Sequence, residues 1–277
     1  MCLPGTVEAV QARVEEEGLP RVSRRALLLG GAGAALAAAV PQVAEARRIP
    51  ARGVQDLTHT FTAGFPIYGT PPVFNPPSRH TVVDIVPDGF YGQEWTFWEH
   101  SGTHMDAPGH FITDGRLSPE ITPRELIAPI VVIDISSRVT EANPNEMVMP
   151  EDLQAFEHTH GRIPRRAIVA MNSGWDSRIG DPVAFRNNLN FPGWSGAAVE
   201  WLLENRQITG IGVDTLSLDP GNSTTFDAHI TILAADKYGL ENLANLGKLR
   251  PRGWTAFIGL VPWEEGSGGP LRAIAVG

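Results

Sequence analysis

Short runs rich in valine, isoleucine, phenylalanine and tryptophan alternate along this chain with stretches of helical spacing, and that alternation most limits what it can fold into. The apolar runs cover 81–86, 94–99, 130–135, 167–171, 209–214, 255–261 and 271–276, and recur between Pro, Gly, Asn and Asp punctuation. They read as strands. Helical patterns fall at 123–127, 150–158, 196–205 and 225–237, the third opening after Ser195, a residue type that caps helix N-termini. Strands alternating with helices predict an α/β (α+β) fold: one domain, residues 47–277, with a mixed β-sheet flanked by helices. A composition of 42% hydrophobic and 19% charged residues over 277 positions supplies an ordinary globular core. Loops 65–79 and 179–192, rich in Pro, Gly and Asn, are expected to ride over a site or an oligomer contact.

Residues 1–46 read as an address rather than as part of the fold. Arg21, Arg24 and Arg25 precede an uncharged stretch, 26–40, and Ala44 with Ala46 supply the small-x-small pattern of a cleavage site. A bilayer-spanning helix needs about 20 apolar residues, so this stretch is too short to serve as one. Ser23-Arg24-Arg25-Ala26-Leu27-Leu28 resembles a twin-arginine signal. The expectation is a cleaved leader and an exported mature chain (periplasmic, cell-surface or secreted) with no stable membrane span.

The net charge of −9 and the lack of a dense Lys/Arg run argue against nucleic acid as a partner. Cys2 is the only cysteine, so the mature chain has no disulfide and no thiolate nucleophile.

Three of the eight histidines, His100, His104 and His110, fall within eleven residues, with Asp106 among them. Gly102, Pro108 and Gly109 make a helix untenable here, so the segment reads as a strand leading into a loop. In extended chain, residues of like parity face one side, which lets all four side chains converge. A straight strand at about 3.3 Å per residue would hold His100 and His104 roughly 13 Å apart, so the chain must bend, and Gly102 is the expected hinge. Imidazole with carboxylate suits Zn²⁺ or Mn²⁺, whereas Ca²⁺ and Mg²⁺ prefer oxygen shells.

The stretch His100-Ser101-Gly102-Thr103-His104-Met105-Asp106-Ala107-Pro108-Gly109-His110-Phe111 resembles the HxGTHxDxPxH signature of the cyclase family, metal-dependent hydrolases that include bacterial kynurenine formamidase and isatin hydrolase. Asp56-Leu57-Thr58, the run Gly212 to Asp219 and Asp227-Ala228-His229 extend the resemblance over nearly all of the mature chain. It implies the family's swivelling β/α/β-like fold and a metal-dependent amidohydrolase acting on an aryl formamide, cyclic amide or lactone. His100, His104, Asp106, His229 and Glu241 would ligate one or two Zn or Mn ions per subunit, and His110 would be the general acid/base. A homodimer or homotetramer is implied as well. Glu241 is the demanding assignment: a straight helix from His229 would carry it roughly 15 to 18 Å away. The helix should therefore stop near Lys237, with Gly239 as the residue that turns the chain back.

Trp95, Phe97 and Phe111 are candidates to line an apolar substrate pocket, and His59, His80, His158 and His160 are expected at surface or loop positions. Two rival readings remain. Gly193-Trp194-Ser195-Gly196-Ala197 nearly forms a serine-hydrolase elbow, but alanine replaces the last glycine and no strand precedes it, so Ser195 is better read as a helix cap. An exported metal- or solute-binding protein without turnover would use the same ligands but has no need of His110.

Overall fold

A computed structural model describes residues 53–277. The expected leader, 1–46, and Cys2 lie outside the described residues.

The described chain forms two compact units, Arg79–Thr96 and the remainder. In the first, β2 (Ser78–Val83) pairs with β3 (Gly92–Thr96). A helical turn at Ile85–Asp88 joins them, opened by the Asp84 carboxylate accepting from the Ile85 amide at 2.7 Å and closed by left-handed Gly89. The Arg79 guanidinium lies over the Trp95 ring.

The larger unit is built on a closed sheet. Strands β4 (His104–Asp106), β5 (Ile127–Asp134), β7 (Ile168–Asn172), β9 (Gly210–Val213), β10 (Tyr238–Glu241), β11 (Trp254–Leu260) and β12 (Gly268–Val276) run in the order β12-β11-β5-β7-β9-β10-β4, and β4 pairs back onto β12. The result is a seven-stranded barrel, with β1 (Val54–Asp56) added outside β12. Pairings β5–β7–β9–β10 are parallel and the others antiparallel, so the mixed α/β expectation holds. A short pair, β6 (Met147–Val148) and β8 (Gly193–Trp194), stands apart.

The apolar runs face two cores at once. In β5, Ile130 and Val132 enter the barrel interior while Val131 and Ile133 point outward, and β7 repeats this with Ile168 and Ala170 against Val169 and Met171. Such strands read as continuous hydrophobic runs because both faces are covered. The outer core is covered by helices α1 (Pro150–His160), α3 (Gly196–Asn205) and α4 (Asp227–Ala234), through Leu153, Val199, Leu202 and Ile232 among others. Helix α2 (Pro182–Arg186) belongs to a smaller aromatic cluster of Trp175, Phe185 and Phe191. Among the described residues no helix is long and apolar enough to cross a membrane.

Three local expectations are corrected. Residues 123–127 are not a helix: the Glu125 carboxylate accepts from the Thr122 amide and hydroxyl, closing a single turn, and Ile127 already pairs in β5. The helix expected to 237 ends at Ala234, with Asp236 rather than Gly239 in the left-handed region (φ 57°), and Gly239 lies inside β10. The strand expected ahead of the histidine motif ends at Thr96, and after the bend the motif itself carries a short buried strand, β4, where loop was expected.

Candidate metal centre and active site

Strand β4 sorts the motif by parity. Met105 enters the barrel core, fully buried, so His104 and Asp106 share the opposite face. On β10, Glu241 pairs directly with His104. This is how a residue distant in sequence reaches the motif: the helix stops early and the chain returns as a parallel strand beside β9. Gly102 supplies the anticipated bend at φ 72°, a conformation that disfavours side chains, and a Cβ there would strike the Phe61 ring. His229 comes from α4, whose N-terminus is capped by Asp219: that carboxylate accepts from the amides of Ala228 (2.8 Å) and His229 (3.1 Å).

Each histidine is held by one ring nitrogen and presents the other to the centre. His104 Nδ1 lies 2.9 Å from the carbonyl of Gly102, an acceptor only, so Nδ1 donates and Nε2 is the nitrogen left to take a proton or a cation. That Nε2 stands 3.4 Å from Asp106 and 3.3 Å from Glu241. His229 Nδ1 lies 2.6 Å from Asp219, which leaves Nε2 at 3.1 Å from Glu241 and 3.5 Å from Asp106. His100 places Nδ1 2.7 Å from Asp106 and Nε2 2.9 Å from the Ser267 hydroxyl. Glu241 also accepts from the Leu218 amide at 2.9 Å.

With neutral imidazoles the inward lone pairs would face carboxylate oxygens, so each inward nitrogen needs either a proton or a bound cation between it and its carboxylate neighbours. His104 Nε2 and Asp106 Oδ2 are buried with no hydrogen-bond partner. Two groups of three ligand atoms converge, His104/Asp106/Glu241 and His100/Asp106/His110, with Asp106 common to both. The donor set of imidazole nitrogen and carboxylate oxygen fits a divalent metal of the Zn²⁺ or Mn²⁺ type.

Where no cation is bound, protons hold these places. As a free imidazole His104 is disfavoured as a cation by burial, yet its bonds to Asp106 and Glu241 outweigh that and hold it at about 10. Asp106 is opposed by burial too, but contacts with His100, His104 and His229 keep it well below the usual carboxylate range. His110 differs. Burial pushes it down to about 4, so at neutral pH its ring is an unprotonated base. It stacks on His100 at 3.7 Å between centroids, beside the ligands.

The cluster forms the floor of a cavity of about 330 Å³. Its walls include Tyr68, Phe74, Trp98, Phe111, Leu216 and Phe226. Phe74 meets Trp98 edge to face at 4.9 Å, and Phe111 stacks on His229 at 4.8 Å. Of the expected pocket aromatics, Phe111 is in place. Phe97 instead packs between Phe61 and Trp263, and Trp95 belongs to the β2–β3 hairpin. Loop 65–79 rides over the site as expected, carrying Tyr68 and Phe74.

Sequence reasoning gave no role to Asp219, Ser267, Tyr68, Phe74 or Phe226. Asp219 carried a signal, a carboxylate upstream of a helix that bears a ligand; the others come from distant loops. His80 is exposed and paired with Glu94, and His158 is exposed, as expected. His59 sits in a loop, as expected, but half-buried: its ring lies against Phe65 and Phe185, and burial lowers its pKa. Ser195 caps α3, accepting from the Ala198 amide at 3.1 Å while its hydroxyl donates to the Val148 carbonyl at 2.8 Å. No histidine hydrogen-bonds to it among the described residues, so the serine-hydrolase reading has no support.

Comparison with known proteins places this geometry. The isatin hydrolase of Roseibium aggregatum is 35% identical over 241 residues, spanning 80% of this chain and 91% of that protein. A kynurenine formamidase of Bordetella petrii is 29% identical over 64% of this chain and 79% of its own. The solved structure of isatin hydrolase A from Ralstonia solanacearum superposes with a TM-score of 0.76 at 36% identity, covering 81% of this chain and 91% of that one. The Cyclase family model matches residues 55–220, which include the whole histidine motif, and the chain therefore belongs to the cyclase family.

Proposed function

We propose that this protein is a metal-dependent amidohydrolase that cleaves the carbonyl–nitrogen bond of a small aromatic substrate, an aryl formamide or a fused cyclic amide. The observation that carries the reading is the convergence of His100, His104, Asp106 and Glu241, with His229 Nε2 3.1 Å from Glu241, beside an unprotonated His110 at the floor of an aromatic cavity. Relatives that cover most of this chain are named for hydrolysis of isatin and of a kynurenine formamide, both aromatic amides.

A divalent ion held by these residues would supply an acidified water, with a pKa lowered toward 7, and a polarised carbonyl. The protein's own groups do the rest. His110 takes a proton from the attacking water and returns it to the departing nitrogen, a contribution of roughly 10²–10⁴-fold. Phe111, Trp98 and Phe226 orient the ring and exclude bulk water. One or two Zn²⁺ or Mn²⁺ ions would be held by His100, His104, Asp106, His229 and Glu241, with Asp106 at the centre of the set.

We also propose export through a twin-arginine leader, supported by Arg24-Arg25 ahead of the 26–40 stretch, with residues 47–277 as the mature chain. A homodimer or homotetramer is supported by half-exposed Ile127, which shares a shallow apolar groove with Phe257 and Ile274 on the sheet's outer face.

The test is metal content of the purified mature protein, with hydrolysis of isatin and N-formylkynurenine measured with and without chelator. Chelator-sensitive turnover of either compound is expected. A metal-free protein that still hydrolysed them would overturn the reading.

A further inference from the structure

We propose that Glu99, Ser267 and Gly268 form a clamp that fixes the His100 imidazole with Nδ1 as its cation-facing nitrogen. The argument is one of hydrogen-bond direction. Glu99, as a carboxylate, only accepts, and it takes both the Ser267 amide (3.1 Å to Oε2) and the Ser267 hydroxyl (2.5 Å to Oε1). The hydroxyl proton is thereby committed to Glu99, so Ser267 Oγ faces His100 Nε2, 2.9 Å away, as an acceptor. Nε2 must carry a proton, which leaves Nδ1, 2.7 Å from Asp106, as the nitrogen that can meet a cation.

Two further contacts fix the clamp in place. The Ser267 carbonyl accepts from the Ala107 amide at 2.9 Å, tying the turn to the residue after Asp106. Gly268 lies so close that a Cβ would fall 2.1 Å from the Met105 carbonyl and 2.7 Å from His100 Cε1, so only a bare Cα lets the ring sit flush. His104 and His229 are oriented by a loop carbonyl and by Asp219, each leaving Nε2 inward; His100 alone is held the other way round, by Ser267 and by Glu99, whose Oε1 stands 3.5 Å from Nε2. Outer partners of this kind typically change metal affinity 10–100-fold when removed. Glu99 and Ser267 are positioning residues acting through His100, and the proposal rests on the metal reading above.

The experiment measures the Zn²⁺ and Mn²⁺ dissociation constants of the mature protein by chelator competition for wild type, Ser267→Ala, Glu99→Ala and Ser267→Thr. Histidine-selective ¹⁵N NMR of the same proteins follows the His100 tautomer. Expected are affinities weakened roughly 10–100-fold in Ser267→Ala and Glu99→Ala, loss of the single Nε2–H tautomer in both, and recovery in Ser267→Thr, which keeps the hydroxyl. Unchanged thermal melting of the metal-free forms separates lost orientation from general loosening. Wild-type affinity together with a wild-type tautomer in Ser267→Ala overturns the clamp. A wild-type protein that takes up neither ion sinks the metal reading instead, and the tautomer then decides the clamp: an Nε2–H form that survives in Ser267→Ala rejects it.

Discussion

Asp106 and Asp214 are both sealed from solvent, and their surroundings drive them in opposite directions. Burial is the largest influence on each and opposes the charged form. Around Asp106 the bonds from His100, His104 and His229 overcome it, and the carboxylate stays ionised far below its usual range. Around Asp214 the neighbours are the Ser173 amide and hydroxyl, the Trp175 amide and the charge of Asp176; burial wins, and the group is pushed up to about 7. Neutral donors alone do not offset desolvation here, whereas partners that carry or coordinate positive charge do. A buried carboxylate therefore marks a cation site only where the atoms facing it are themselves lone-pair donors aimed at one point.

The widest separation between the two should appear on amidation. Asp106→Asn is expected to lose bound metal and bring turnover to background, while Asp214→Asn keeps both. Metal analysis after dialysis, with turnover of isatin or N-formylkynurenine, checks the pair. Stoichiometric metal in Asp106→Asn would break the comparison at its root. Next in size is His110→Ala, which should retain metal and lose roughly 10²–10⁴-fold in kcat. In the wild type, the acid limb of kcat/KM should lie near 4, the value to which burial depresses His110, because the base is lost only as pH falls through its folded pKa. A limb at an ordinary histidine value would remove His110 as the base.

A smaller effect tests how the ligands are held. Asp219 caps α4 and fixes His229 through Nδ1, so Asp219→Asn should weaken metal binding by about 10–100-fold without abolishing it. Chelator competition reads this directly, and an affinity equal to wild type would show that helix α4 alone orients His229.

Legibility in the sequence followed locality. The motif from His100 to His110 announced a metal site because its ligands are close along the chain, and Gly102 announced the bend because a positive φ between two ligands needs glycine. Alternating apolar runs announced the α/β character. Barrel closure was hidden, since β4 is three residues long and its pairing with β10 and β12 depends on segments more than a hundred residues away. Glu241 was placed by family resemblance with the wrong turning residue: the helix stops at Ala234, so the chain reverses at Asp236. Tyr68, Phe74 and Phe226 were illegible for a simpler reason. Wall residues share no spacing with one another, and only the folded loops bring them to one cavity.

The remaining effect concerns stability. A carboxyl raised to about 7 in the folded state, against about 3.9 when unfolded, holds its proton through a window in which the unfolded chain has lost it. Between those values the folded state binds more protons, so raising the pH lowers stability, by at most about 1.4 kcal/mol per pH unit from this group, and above 7 the contribution is flat. Asp214→Asn removes the titration. The difference in melting temperature, wild type minus Asp214→Asn, should therefore fall as pH rises from 4 to 7 and level off beyond. A difference that stayed constant across that window would mean that the Ser173 and Trp175 donors hold Asp214 ionised, and that the two carboxylates differ in their partners but not in their charge.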